Sequence, residues 1–513
     1  MEGTLDISWL TPLVFTILLY LTSLVVYRLL LHPLAKFPGP KLAAVTRYYE
    51  AYYDLVQSGQ YTFKIAELHK QYGPIIRISP FELHVNDPRF YEKLYRQDGH
   101  WNKYDWSYDA FGAPLSAICS TDHDLHKRRR APLNAYFSKA NVASRQGLIL
   151  DKVKKLRERM NDYSISGSEL NLGAALSATS TDVATEYILG ESYDNLNRTD
   201  FNQDLMNMLQ ASGGMWRATK HIRFLGPMMK AMPLSVLERS GGSDVKAFVA
   251  FLKTSKMQTQ RVMAELTSNT AQESLPRTII HDILRSDYLP PTEKEFDRVS
   301  DEVGTVAGAG IETVAQTLRS TIYHLYSNPT LLHRLRTELR DLSNSLNPEA
   351  QGEPALAQLE SLPYLTAVIM EGLRLSPGLA TRLARIAPDR QLVYDDKWVV
   401  PAGTPVSMTT LLMHWDEGLY PNARKFEPER WTDKERIRKA EKTFAPFSRG
   451  TRICLGMHLA WAELYLTLAM LVSHFDFDFI GTSAGDVDPD SDQFIIGTKS
   501  KGRMIVRVTL CRD

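Results

Sequence analysis

Near the C-terminus the chain reads FSRGTRICLG, from Phe447 to Gly456. One cysteine, Cys454, is framed by Phe447, Gly450, Arg452 and Gly456. These residue types at this spacing suit the holding of one thiolate against a flat, anionic group. Glycine lets backbone approach something bulky where a side chain would clash. Arg452 offers a fixed cation for a carboxylate. The run from Met457 to His474 has almost no turn residues and reads as a long apolar helix. Cys454 then sits at or just before a helix start, where the helix dipole and free N–H groups stabilise a thiolate. A lone cysteine is more often a small buried hydrophobe, so the reading depends on what else the chain carries.

Upstream, Ala309-Gly310-Ile311-Glu312-Thr313 lies mid-way along a helical pattern. A mid-helix threonine can bond a carbonyl one turn back and loosen the ladder, making room for water. Glu371-Gly372-Leu373-Arg374 sets opposite charges at i,i+3 on one helix face. Alone, such a pair is worth little. Phe426-Glu427-Pro428-Glu429-Arg430-Trp431 follows, and LHKRRRAPLNAYFS runs from Leu125 to Ser138.

In this order and spacing, the segments resemble the cytochrome P-450 superfamily. Phe447 to Gly456 resembles its haem-binding loop, and Ala309 to Thr313 its central-helix signature. Glu371-x-x-Arg374 resembles its Glu-x-x-Arg pair. Pro428-Glu429-Arg430-Trp431 resembles its Pro-Glu-Arg-Phe segment, with Trp431 in place of Phe. The resemblance implies that Cys454 ligates haem iron, with Phe447, Gly450, Arg452 and Gly456 around the haem. It implies that Thr313 lies over the oxygen-binding face and relays protons with Glu312; Val314 stands where the family usually has Thr or Ser. His126, in the place of a usual Trp, with Arg130 and Arg385, is expected at the haem propionates. Arg430 is expected to join Glu371 and Arg374 in a buried network supporting the loop. The phrases RRRAPLNAYFSKANV and LPYLTAVIMEGLRLSPGLATRLARIAP resemble fungal secondary-metabolism members, including the trichodiene oxygenase group.

The fold so implied is mainly α, a helix-rich domain with a small β-rich region. The implied activity is insertion of one oxygen atom from dioxygen into an apolar small molecule. Electrons come from NADPH through NADPH-cytochrome P-450 reductase, with cytochrome b5 as a further donor. Lys127, Arg128 and Arg129 are expected to steer an acidic electron donor. The rival activities are a reductase-independent isomerase or dehydratase and a haem carrier or sensor.

Elements must position these residues. The chain has 513 residues, 44% hydrophobic and 23% charged, with a net charge of +1. That balance gives no ground for nucleic-acid binding. Three cysteines cannot make a disulfide framework, which fits a reducing compartment. Trp9 to Tyr27 carries no charge over 19 positions, about 28 Å as a helix and close to a bilayer's hydrocarbon thickness. The basic flank follows it, at Arg28, Lys36 and Lys41. The expected order is therefore a lumenal start at 1–8, an uncleaved signal anchor at 9–28, a proline-rich linker at 29–41 and a cytosolic catalytic domain at 42–513. That is a single-pass protein, placed in the endoplasmic reticulum membrane.

Ile75–Ser79 and Leu83–Asn86 suggest an early small sheet. Thr292 and Glu295 form a capping-box pattern and Pro329 a stop, giving a helix of roughly 35 residues and about 53 Å. Gly304, Gly308 and Gly310 in its middle suggest that something packs on the backbone. The resemblance places a largely apolar pocket along Trp101–Phe111, Ala309, Leu379–Thr381 and Phe494–Ile496. An ionic substrate would need Arg217 or Arg382 to point inward. Met206–Met232, rich in Met, reads equally as a mobile entrance or as core.

Overall fold

The computed structural model describes residues 10–240, 242–267, 276–345 and 354–511. The expected lumenal start and Trp9 lie outside the described residues. Helix Leu10–Val26 continues as a π turn over Tyr27–Leu31. Its apolar span, Thr11–Leu31, is 21 residues long and unburied by the body. Among the described residues it is the one helix long and apolar enough to cross a bilayer, at about 32 Å.

The proline-rich segment after it is docked rather than free. Leu34 and Phe37 are buried, and Phe37 stacks on Trp398 at 5.1 Å. The Arg77 backbone N–H donates to Pro38 O (2.7 Å), and its guanidinium donates to Arg28 O (2.7 Å). Two apolar side chains among the prolines thus tie the segment to the sheet below.

That sheet has five short strands, in the order Ile75–Arg77, Leu83–Val85, Pro405–Ser407, Arg385–Ile386, Asn102–Lys103. The first two pair antiparallel, as the sequence suggested. Its edge strand delivers Lys103, and its neighbour delivers Arg385. Smaller sheets and hairpins complete the β part, including Ser491–Gln493 against Ile495–Gly497.

Helices make the rest. The central helix, Phe296–Tyr326, has 31 residues and is about 47 Å long. It starts later than the capping-box pattern indicates. Pro291–Lys294 forms a 3-10 turn, and Glu295 is extended at φ −69°, ψ 154°. The central helix packs most extensively on helix Leu172–Leu189, in which every residue except Glu186 is buried. That helix can be surrounded because its buried Thr179, Thr181 and Thr185 hydroxyls donate to carbonyls one turn back. The glycine reading needs a correction. Only Gly310 has a tight neighbour, where an added Cβ would lie 2.8 Å from Ala184 Cβ. Gly304 and Gly308 meet Ser255 and Phe251 at ordinary distances of 3.9 and 4.0 Å. The protein atoms nearest these positions come from neighbouring helices.

Candidate functional site

The Cys454 loop is clamped from behind. Gly450 has φ +76°, and a Cβ there would lie 2.4 Å from Arg96 O. Its glycine answers to protein backbone, whereas Gly456 has no atom within 4 Å of a built Cβ. Thr451 N–H donates to Arg96 O (3.2 Å), and Cys454 N–H donates to Phe447 O (2.9 Å). Helix Met457–His474 starts immediately after Gly456, so the cysteine stands just ahead of a helix N-terminus. The Cys454 side chain is exposed, yet burial is the leading influence on its thiol. Burial pushes the thiol up, against a hydrogen bond from Gly456 backbone and the pull of Arg130.

A buried network braces the loop. Glu371 receives Arg374 at 2.8 and 2.9 Å, Arg430 at 3.2 Å, Glu427 N–H at 2.9 Å and the Trp431 indole N–H at 2.9 Å. Arg374 also donates to His414 O and Ala423 O. His414, which sequence reasoning missed, joins this network to the loop. Ala445 N–H donates to its Nε2 (3.1 Å), so Nδ1 carries the proton and donates to Arg374 O (3.1 Å). Burial and the Arg374 charge hold it neutral, with its pKa lowered to about 3.

Beside the loop lies a cluster of four cations and one imidazole, all buried except the half-buried Arg130. His126 and Arg130 come from helix His123–Tyr136, Arg385 and Lys103 from the sheet, and Arg452 from the loop. Arg452 donates to the carbonyls of Ser120 (2.6 Å), Thr121 (2.9 Å) and Asp122 (3.1 Å), while its Nε is buried without a partner. Lys103 Nζ has the Ile118 carbonyl (2.6 Å) and the Tyr108 ring face. Among the described residues no carboxylate comes within ion-pair distance of any of these groups. Burial and mutual repulsion push Arg452 down to about 9 and Lys103 and His126 well below their ordinary values. Buried cations without counter-charge are unfavourable. The set fits a group that brings carboxylates, as the two propionates of haem would, and the soft sulfur of Cys454 fits its iron. Lys103 was missed by sequence reasoning; a lysine inside the aromatic run WNKYDW was the available signal.

On the central helix, Ala309 is exposed between half-buried Gly308 and Gly310, and Thr313 is half-buried. Thr313 Oγ1 donates to Ala309 O (3.0 Å), the bond expected to loosen the ladder. Gly378 packs on it, with its built Cβ 3.6 Å from Thr313 Cβ. Glu312 goes elsewhere. It pairs with Arg319 (2.5 Å) and accepts from Ser177 (2.8 Å) and Gln210 (2.6 Å). Val314 is buried in the helical core.

The basic stretch is smaller than the sequence suggested. Arg129 is buried and bonded to Glu293 at 2.8 and 2.9 Å, leaving Lys127 and Arg128 exposed. Lys127 borders a cleft of about 270 Å³ lined also by His126, Arg130, Gly450 and Thr451. Arg382 is held by Glu82 and Glu50 (2.8 Å each), and Arg217 by Asp492 O (3.0 Å) and Gln493. The Arg382 guanidinium is thus paired with two carboxylates, whereas Arg217 has no carboxylate partner among the described residues and its Nε is buried without a hydrogen-bond partner. Met206, Met208 and Trp216 are core, whereas Met215, Phe224 and Met228 are exposed.

Residues 51–505 match the family model for cytochrome P450. The chain is 39% identical over 480 residues to a cytochrome P450 monooxygenase of Ascocoryne sarcoides, covering 91% of this chain and 92% of that protein. It is 36% identical to a tryptophan 6-hydroxylase of Fusarium equiseti, covering 96% and 94%. With the cytochrome P450 monooxygenase TRI4 of Fusarium sporotrichioides it shares 34% identity, covering 92% and 89%. A crystal structure of a cytochrome P450 superimposes with a TM-score of 0.71 at 16% identity, covering 89% of this chain and 96% of that one.

Proposed function

This chain belongs to the cytochrome P450 family and is a haem-dependent monooxygenase of the fungal secondary-metabolism kind, and on that premise we propose a role for each part of its site. Cys454 is the iron ligand. Arg452, Arg130, Arg385, His126 and Lys103 hold the propionates, and Phe447 and Gly456 lie against the ring. Gly450 locks the loop to residues 95–96. Glu371, Arg374 and Arg430, with His414 and Trp431, keep the loop rigid.

Haem bound there supplies the activation of dioxygen. The chain supplies the rest. Gly456 N–H and Arg130 favour a thiolate that burial alone disfavours. Thr313 spends its proton on Ala309 O, so its oxygen can accept a proton donor at the reacting face and pass a proton on. Glu312 takes part in that relay only by leaving Arg319. The single observation that carries the reading is one cysteine beside four cationic residues and a neutral His126, none of which has a carboxylate partner among the described residues.

Electrons come from NADPH through a reductase that docks over Lys127, Arg128 and the adjoining cleft, with cytochrome b5 as a second donor. The apolar helix anchors the chain in the endoplasmic reticulum membrane, with residues 42–513 cytosolic. The substrate is an uncharged, apolar natural product of small to medium size, because the pocket segments are largely apolar, Arg382 is already paired with Glu50 and Glu82, and a buried ion is costly. The Fusarium equiseti relative bears the name of an aromatic substrate, so planar aromatics belong in the screen. The test is the carbon monoxide difference spectrum of the reduced protein, followed by turnover with NADPH and reductase. A thiolate-type spectrum and reductase-dependent product support the reading. Product formed without NADPH would favour the isomerase or dehydratase alternative.

A further inference from the structure

Between the 3-10 turn Asp109–Phe111 and helix His123–Tyr136 the chain has no regular structure, so its backbone groups must find partners outside any ladder. They divide by sign. Carbonyls of this loop face cations. Ile118 O accepts Lys103 Nζ (2.6 Å), and Ser120 O (2.6 Å) and Thr121 O (2.9 Å) accept Arg452. Two of its N–H groups face carboxylates on the central helix. Leu115 N–H donates to Asp301 Oδ2 (3.1 Å), and Ala117 N–H donates to Glu302 Oε2 (3.0 Å). The central helix thus holds the loop, and the loop holds two of the cations assigned to the propionates.

Glu302 does not act alone. It is buried, and Arg298, also buried, pairs with it at 2.6 Å. Arg298 Nε donates to Glu293 (2.9 Å), and Glu293 takes both Arg129 bonds (2.8 and 2.9 Å). Arg129 returns to the loop, donating to Ser120 Oγ (3.0 Å). Arg129, Glu293, Arg298 and Glu302 alternate in sign and carry no net charge. Such a chain can stay buried because no member is left as an uncompensated charge. It joins the loop to helix His123–Tyr136, to the turn Pro291–Lys294 and to the central helix.

The cation cluster has no such compensation. Loop carbonyls carry only partial charges and cannot balance Lys103 and Arg452. The loop therefore sets where these cations stand, and the carboxylates of the bracket set where the loop stands. Burial lowers Arg130, against the charges of Cys454 and Glu302, so Glu302 is also felt at the cluster. It lies about three turns before Thr313 on the same helix face, so one helix serves both the loop and the reacting face.

We propose that Glu302 and Glu293 are positioning residues for haem: through residues 112–122 they hold Lys103 and Arg452 where the two propionates need them. They act through the loop rather than on the cofactor itself. The proposal rests on the haem-thiolate reading, and its test separates the two.

Full-length protein is loaded with haem or with haem dimethyl ester, in which both propionates are esterified. Loss of each porphyrin to excess apomyoglobin is followed in the Soret band. The wild-type protein is expected to keep haem longer than the ester. Glu302→Ala is expected to lose haem roughly ten-fold faster, the scale of one hydrogen bond to a charged group. Its loss of the ester should stay within about two-fold of wild type. Glu302→Gln keeps an acceptor for Ala117 N–H and should recover part of the difference. Glu293→Gln, at a half-buried position, carries the test if Glu302→Ala folds poorly, with haem loss expected to rise roughly three-fold. Equal acceleration of haem and ester loss overturns the proposal, since it marks a general loss of fold support. Unchanged haem loss in Glu302→Ala and Glu293→Gln overturns it too. Equal retention of haem and ester by the wild-type protein overturns the propionate assignment of the cations, and the proposal with it. Absence of a thiolate-type carbon monoxide spectrum in the wild-type protein overturns the haem-thiolate reading itself.

Discussion

Glu371 shows how much one side chain can organise. Its two oxygens collect five donors, from Arg374, Arg430, Trp431 and the Glu427 backbone. Trp431 therefore replaces the family's usual Phe with a gain, an indole N–H on a buried carboxylate. Trp431→Phe is expected to cost about 2 kcal/mol, the range for a hydrogen bond to a charged group. The denaturant midpoint of the haem-loaded protein measures it, and an unchanged midpoint would show that the indole bond is idle. At the iron, Cys454→Ser should abolish activity and the thiolate-type carbon monoxide spectrum, since a hydroxyl is a harder and less acidic ligand. An unchanged spectrum in that variant would remove the basis of the site. Thr313→Ala should leave haem bound while lowering product per NADPH roughly ten-fold or more, with peroxide rising in its place. Measuring product and peroxide together decides it. Unaltered coupling would make Thr313 a helix-packing residue, like its neighbour Val314.

Among the elements, the segment between anchor and body changes most between sequence and structure. Proline composition suggested a spacer, but Leu34 and Phe37 are core residues. Removing residues 1–28 takes away the apolar span and the Arg28 carbonyl that Arg77 bonds. That loss is small, on the order of 1 kcal/mol, so haem incorporation should persist while membrane association weakens. Extending the deletion to residue 41 also removes Leu34 and Phe37 from their packing. It should cost several kcal/mol, roughly 3–5 for the Phe alone, and haem incorporation should fall sharply. Comparing the haem content of the two truncations is the measurement. Equal content would mean the segment is a spacer after all.

For the whole molecule, the unpaired cation cluster couples folding to the cofactor. Without haem, Arg452 is lowered to about 9 and Lys103 well below its ordinary value. A base with a lowered pKa binds fewer protons folded than unfolded in the interval between its two values. Stability of the haem-free protein should therefore rise with pH through that interval, which for Arg452 opens at about pH 9, by on the order of 1 kcal/mol between pH 9 and 10. Propionates would restore the cations' charge, so the haem-loaded protein should lack this rise. Urea midpoints of both forms at the two pH values test this. Parallel behaviour would mean the cluster does not meet the cofactor's carboxylates.

The sequence by itself determined the features that act over a few residues. The glycines and arginine around Cys454, the start of the following helix, the Glu371–Arg374 pair and the apolar anchor all depend on local spacing, which backbone geometry turns directly into position. The family and the reaction class followed from these motifs taken in order. Partnerships across long separations belonged to the tertiary structure. Glu312 lies next to Thr313 in sequence, yet it turns to Arg319, Ser177 and Gln210, because adjacent helix positions point about 100° apart. Arg129 left the basic face for Glu293, and Lys103 joined the cations from a sheet edge. Glu302 met the Ala117 N–H across 185 positions of chain. No local pattern records such contacts, because burial selects side-chain partners by shape and charge in space rather than by distance along the chain.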